Sequence, residues 1–164
     1  MQSYLRGIPP TLEEAFVRPR LIVLVALGAL ACGGRATTGT PVPQSLQQAL
    51  AQFMAAVKAN DLKRMGELWG SDRGPASTWM KGDALKERLT VMQKYLDHVG
   101  YRVIDGPESV QGHDNLQSFR VELQRANACT VVFPVDLVRS KAGGWVVNDV
   151  HLASLSTPGS TCRQ

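Results

Sequence analysis

The chain has 164 residues, with 18 basic and 14 acidic side chains and a formal net charge of +4. That length is enough for one ordinary domain with its own core, and we do not expect two. Basic residues lie among acidic and neutral neighbours rather than on one face, which argues against nucleic-acid binding. The common sequence motifs of hydrolases, kinases and metalloproteases are also absent from the sequence.

A short apolar run near the start of the chain predicts export. Leu21–Ala31 is uninterruptedly apolar or glycine and directly follows Arg18 and Arg20. A membrane-spanning helix needs roughly 20 apolar residues, whereas a positive flank before a shorter run is typical of a signal peptide. We therefore predict a signal peptide over residues 17–32. Residues 1–16 contain two glutamates where a signal is normally positive, and one alternative is that they are not translated.

The end of the run resembles the bacterial lipobox. Ala29 to Cys32 has small residues before a cysteine, although Ala29 stands where leucine is usual and Leu30 where a smaller residue is usual. The resemblance implies that Cys32 is acylated and tethers the protein to a membrane by its lipid. Gly33 after it implies the outer membrane, with the domain facing the periplasm. The alternative is cleavage near the same point, which gives a soluble periplasmic or secreted protein.

The chain has three cysteines, an odd number for an exported protein. If Cys32 carries lipid, Cys129 and Cys162 remain and can form a disulfide in an oxidising compartment, which ties the tail of residues 156–164 to the domain. Two separate thiols are the alternative. No paired cysteine or histidine motif accompanies them, so we expect no metal site, and nothing in the sequence indicates a cofactor.

Residues 33–43 are rich in glycine, threonine and proline and predict a flexible tether. We predict a single domain over residues 44–155. It opens with a helix from Leu46, where Ser45 and Gln48 form a capping-box pattern. Asp61 then caps a second, short helix.

A third helix is predicted to open with Asp83 as its cap and to run to about Val99, which we expect to face inward. After it, alternating residues predict strands near 101–110, 119–123, 129–137 and 145–150. Pro134 interrupts the third of these and indicates an edge or a bulge. Helices followed by antiparallel strands predict an α+β fold: three N-terminal helices packed on an antiparallel sheet of about four strands.

Two stretches resemble the nuclear transport factor 2-like superfamily, also called SnoaL-like or cystatin-like. Phe53–Leu62 is similar to the first helix and the polar pair that opens the second, and Gly143–Val147 is similar to a Gly-Gly-Trp hairpin near the chain end. The resemblance covers about Gln44–Leu152. It implies a curved sheet around a helix and a conical pocket, which members use for binding, dimerisation or, in some cases, catalysis.

Within that resemblance, ketosteroid isomerase and scytalone dehydratase imply an Asp or His base inside an apolar cone. The weak catalytic candidates in this sequence are Asp97, His98, Asp149 and His151. A histidine at a helix C-terminus is favoured by the helix dipole alone. By alternation, Asp149 and His151 share a strand face with Trp145 and Val147, and we expect them at a solvent-exposed rim.

Three tryptophans are candidates for ligand contacts: Trp69, Trp79 and Trp145. Packing in the core or under a loop is the alternative for each. A further carboxylate, Asp136, is expected to face water or to pair with Arg120 or Arg139.

The leading hypothesis is a non-enzymatic lipoprotein whose domain binds a small apolar ligand, a peptide or another envelope protein. The first alternative is a small pocket enzyme of the isomerase or dehydratase type. The second is a structural envelope subunit that forms a homodimer through the sheet.

Overall fold

A computed structural model describes residues 41–158, which belong to one compact unit. The predicted leader, Cys32, most of the tether and Cys162 lie outside the described residues. The helices are α1 (Leu46–Lys58), α2 (Leu62–Leu68) and α3 (Gly82–Leu96). The strands are β1 (Gly70–Ser71), β2 (Gly74–Pro75), β3 (Gly100–Ser109), β4 (Leu116–Gln124), β5 (Thr130–Arg139) and β6 (Trp145–Asp149), and short 3-10 helices cover Ala76–Thr78 and Leu152–Ser154. The predicted α+β fold, with three helices and four main strands, is confirmed.

The first two helices begin where their capping residues predict. The Ser45 hydroxyl accepts a hydrogen bond from the Gln48 amide at 3.2 Å, and Asp61 Oδ1 accepts one from the Arg64 amide at 2.9 Å. Each side chain satisfies an amide that the first helical turn leaves without a partner. Local chemistry therefore fixes the starts of α1 and α2.

The third helix differs from its prediction at both ends. It begins at Gly82 with Lys81 as N-cap and no side-chain capping bond, so Asp83 lies in the first turn instead of capping it. It ends at Leu96, because the chain becomes extended at Asp97 and the Val99 amide donates to the Gln124 carbonyl at 2.9 Å. Val99 is 49 % exposed, so its predicted inward position is wrong. Pairing with the sheet has replaced the last predicted turn of the helix.

The main sheet is antiparallel with strand order β3-β4-β5-β6. Pro134 pairs with Arg120 of β4, whereas the pairing of β5 with β6 starts only at Asp136. At Pro134, β5 therefore pairs with a strand on one side only. The amide hydrogen that proline lacks is not needed there for a hydrogen bond to β6. The predicted edge position is correct locally, although β5 as a whole is an interior strand.

Apolar side chains fill the space between α1 and one face of the sheet. Phe53 of α1 is fully buried, and Phe119 and Phe133 of the sheet are 2 % and 1 % exposed. They belong to one core cluster together with residues of α2, α3 and β6. Because the interior is occupied, surfaces for ligands lie on the outside of the domain. Among residues 41–158, no helix is long and apolar enough to cross a membrane.

Candidate functional site

An open groove of about 540 Å³ runs along one side of α3. We call it the α3 groove, and it is lined by Trp69, Ala84, Glu87, Arg88, Val91, Met92 and Leu152. Its walls come from the residue after α2, from α3 and from the 3-10 helix near the chain end. Ligand pockets commonly have volumes of roughly 300–1,000 Å³, so the groove is large enough for a small organic molecule.

Trp69 forms a fixed wall of the α3 groove. Its indole N–H donates to the Asn148 carbonyl at 3.0 Å, and the Asn148 side chain donates to the Gly70 carbonyl at 3.0 Å. The Trp69 backbone also forms a parallel bridge with Val147 of β6. Since the indole nitrogen is already bonded within the protein, the ring can offer a ligand only its apolar surface.

The lining of the α3 groove is apolar apart from two charged side chains. Val91 is 45 % exposed and adds apolar surface to the groove lining. Glu87 and Arg88 are both exposed and adjacent on α3. The groove is therefore suited to a molecule with an apolar body and a polar end.

A second feature is a bulge in β6 that brings acidic side chains and a histidine together. Asp136 pairs with Asp149, whereas the next residue of β5, Leu137, pairs with Val147. β6 therefore has one extra residue between Val147 and Asp149, and Asp149 lies on the opposite face of the sheet from Val147. The predicted sharing of one face by Asp149 and Val147 is wrong, because the bulge breaks the alternation.

His151 completes this cluster. It has a left-handed backbone conformation (φ 38°), and its Nε2 lies 2.8 Å from Asp136 Oδ2 and 3.9 Å from Asp149 Oδ2. Asp149 Oδ1 accepts hydrogen bonds from the amides of Val150 and His151 at 2.7 and 3.1 Å, which hold the turn. A carboxylate in this position fixes the orientation of the imidazole.

The partner of Asp136 differs from the prediction. Asp136 is only 9 % exposed, and its recorded partner is His151 rather than water, Arg120 or Arg139. Strand register decides this outcome, since Asp136 lies opposite Asp149 and only Val150 separates Asp149 from His151. No sequence pattern signals the contact.

The other two acid–base candidates lie elsewhere. His98 is 6 % exposed, with Nδ1 2.8 Å from the Leu96 carbonyl and its ring edge-on to Tyr101 at 5.8 Å between centroids. Burial lowers the pKa of His98 below the usual 6.5. Asp97 lines a separate cavity with Lys94. The structure therefore brings Asp149 and His151 together and leaves Asp97 and His98 apart from them.

Of the three predicted ligand-contact tryptophans, only Trp69 lines the α3 groove. Trp79 is 37 % exposed, donates its indole N–H to the Gly74 carbonyl at 3.1 Å and lies under the Arg73 guanidinium at 4.2 Å from the ring centre. Trp145 packs against the core cluster, and its backbone amide donates to Pro43.

The α3 side of the groove was not predicted. Sequence periodicity identified the inward residues of α3, among them Leu89 and Met92, which are buried. Ala84 and Val91 lie seven residues apart, two helical turns, and so fall on one flank. That spacing was the available signal. In the part of the chain that the structure describes, no group of three His, Cys, Asp or Glu residues is arranged to hold a metal ion.

No protein-family model matches the chain, and no curated protein matches it. Among solved structures, it is similar to a protein named NTF2-like transpeptidase from Campylobacter jejuni, with a TM-score of 0.45 and 13 % identity over 64 % of this chain and 99 % of the other. It is also similar to a protein from Xanthomonas campestris named for the association domain of calcium/calmodulin dependent protein kinase II, with a TM-score of 0.33 and 10 % identity over 66 % and 89 % of the two chains. At these TM-scores and identities, neither similarity bears on the activity of this chain.

Proposed function

We propose that the mature protein is an envelope lipoprotein whose α+β domain binds a small, mainly apolar ligand in the α3 groove. The observation that carries the proposal is the groove itself, about 540 Å³ in volume and walled by Trp69, Val91, Met92 and Leu152. The predicted signal peptide and the lipobox resemblance at Cys32 support a location at a membrane surface, the outer membrane facing the periplasm.

Three features favour a small ligand as the occupant. The indole ring of Trp69 is held in place by its bond to Asn148, so the binding wall exists before the ligand arrives. Met92 is buried at the base of the groove, and its unbranched side chain can adapt to different shapes. Glu87 and Arg88 provide opposite charges for the polar end of the ligand.

The direct test is titration of the neutral fluorescent probe N-phenyl-1-naphthylamine, using the full chain with Cys32→Ser to remove the acyl site. We expect saturable binding that Val91→Glu weakens by about tenfold or more, because a carboxylate in the groove loses hydration when the probe binds. Val132→Glu is the matched control, since Val132 is equally exposed at 43 % but lies on β5, away from the groove. Equal loss in both variants, or no saturable binding at all, would overturn the proposal.

Anchoring is tested separately by metabolic labelling with an alkyne-bearing fatty acid and cell fractionation. We expect the wild-type chain to be labelled and found with the membranes, and Cys32→Ser to be unlabelled. An unlabelled, soluble wild-type protein would contradict the lipoprotein part of the proposal while leaving ligand binding open to the probe titration.

The enzyme alternative has one observation in its favour, the imidazole of His151 held by the buried carboxylate of Asp136. Such a pair can accept a proton from a substrate. However, neither residue is among those that line the α3 groove, so the structure favours binding. The dimeric-subunit alternative is tested by sedimentation equilibrium, in which a monomer at micromolar concentration counts against it.

A further inference from the structure

Arg125 is a buried guanidinium in the hairpin turn between β4 and β5. It is 8 % exposed, and its backbone amide donates to the Cys129 carbonyl at 2.8 Å. One terminal nitrogen, Nη2, donates to the Tyr95 carbonyl at 3.1 Å and to the Ser156 carbonyl at 3.0 Å. The side chain therefore connects the end of α3 to the segment after the last 3-10 helix.

The charge of Arg125 is not balanced within the described domain. Nε is buried without a hydrogen-bond partner, and over residues 41–158 no carboxylate forms an ion pair with this side chain, whereas Arg64 and Arg102 each have one. Carbonyl groups satisfy hydrogen bonds, but they do not neutralise a cation. A buried charge that lacks a counter-charge is costly, and buried charges are normally paired. Nε itself is enclosed, so an anion beside the guanidinium would balance its charge rather than bond to Nε.

A cavity of about 210 Å³ lies beside this side chain, and we call it the Arg125 cavity. Its lining residues are Lys94, Asp97, Arg125, Ala126, Asn127 and Pro158. Among the described lining residues, two cations and one carboxylate give a formal charge of +1. With about 30 Å³ per water molecule, the volume corresponds to about seven waters, which is room for a compact acid group and part of the molecule that carries it.

We infer that the Arg125 cavity binds a small oxyanion, the carboxylate or phosphate group of a small acid, against the Arg125 guanidinium with the Lys94 ammonium as the second positive charge. Nη2 already donates to two carbonyls and Nε is enclosed, so Nη1 is the nitrogen left to donate to the anion, and the lysine adds a point charge. The Asp97 carboxylate repels the anion and so lowers the affinity of the cavity for it. The inference is independent of the α3 groove, whose proposed ligand is mainly apolar and whose test uses a neutral probe.

The experiment uses the full chain with Cys32→Ser and measures the melting temperature against sodium acetate and, separately, sodium phosphate, with sodium chloride exchanged to hold the ionic strength constant. A ligand that binds only the native state raises the melting temperature in a saturable way. A saturable rise with either salt supports the inference, and the salt that acts identifies the oxyanion. No saturable rise with either salt overturns it.

Variants that remove one charge distinguish anion binding at the Arg125 cavity from general electrostatic screening by the salt. Lys94 and Asp97 are exposed, and removing one charge at about 6 Å changes binding roughly three- to tenfold at dielectric constants of about 40–80, which suit solvent-exposed groups. We therefore expect Lys94→Gln to weaken the apparent dissociation constant about three- to tenfold and Asp97→Asn to tighten it about threefold. Lys86→Gln, an exposed lysine on the same helix that does not line the Arg125 cavity, is the matched control and should change nothing.

Arg125→Lys keeps the charge but loses the planar group, so it should abolish the saturable response. Because this variant removes the bonds to Tyr95 and Ser156, it can also destabilise the fold. Lys94→Gln and Asp97→Asn involve exposed side chains and keep the inference testable if the arginine variant does not fold. Equal effects of Lys94→Gln and Lys86→Gln would overturn it, since the anions would then act only by screening.

Discussion

The bond between Trp69 and Asn148 gives a sharp prediction for both stability and binding. Trp69→Phe keeps an aromatic ring but removes the indole N–H, which leaves the part-buried Asn148 carbonyl without its donor at 3.0 Å. An unsatisfied buried acceptor costs about 1–3 kcal/mol, and the smaller ring also loses packing at about 25 cal/mol per Å². We expect the free energy of unfolding to fall by about 2–3 kcal/mol, which lowers the melting temperature by roughly 10 °C for a domain of this size.

The assay is urea unfolding followed by circular dichroism, together with titration of the neutral probe. Trp79→Phe is the matched control, because Trp79 also donates its indole N–H, to Gly74, but is 37 % exposed and lies outside the α3 groove. It removes the donor to the carbonyl of the buried Gly74 and so should also cost about 1–3 kcal/mol, but it should leave probe binding unchanged. If Trp69→Phe binds the probe as well as wild type does, or if Trp79→Phe weakens probe binding, the reasoning about the groove wall is refuted.

Three further predictions concern pH, capping and the cysteines. Burial lowers the pKa of His98 below 6.5, so the unfolded chain takes up a proton at a higher pH than the folded chain does. The stability of the fold should therefore decrease as pH drops through 6.5 towards the folded pKa. His98→Gln should remove that part of the pH dependence of the urea midpoint, and an unchanged pH profile in this variant would contradict the prediction. Asp61→Ala should lower the free energy of unfolding by about 1 kcal/mol, because it removes the cap of α2. Asp83 caps no helix, so Asp83→Ala should lower it by only a few tenths of a kcal/mol. Similar losses of stability in the two variants would contradict the assignment of the cap. The predicted disulfide implies that Cys129 and Cys162 resist alkylation in the exported protein until a reductant is added, and mass spectrometry showing both alkylated without reduction would disprove it.

The parts of the fold that local chemistry controls could be predicted from the sequence. Ser45 and Asp61 cap the helices that they precede, since a cap needs only a side-chain oxygen two or three residues before an amide. The alternating residues after Gly100 became an antiparallel sheet, because a strand with one covered face repeats every second residue. The α+β order follows from these two periodicities.

Long-range strand pairing decided where α3 ends and where His151 lies. α3 stops at Leu96 because the Val99 amide bonds to Gln124 of β4, a partner that no local pattern indicates. The bulge opposite Asp136 likewise depends on how β5 and β6 align, and it alone brings His151 to that carboxylate.

The candidate sites show the same division. The sequence identified Trp69 as a possible ligand contact but not the flank of α3 opposite it, and it gave no indication that Arg125 is buried. Helical and strand periodicity report which face of an element is covered, but not which distant segment covers it. By itself the sequence determined the three helices, the four main strands and the caps of α1 and α2, and it predicts the export signal. Tertiary structure decided the α3 groove, the His151 cluster and the Arg125 cavity, because each is formed by residues far apart in the chain whose contacts depend on how the elements pack.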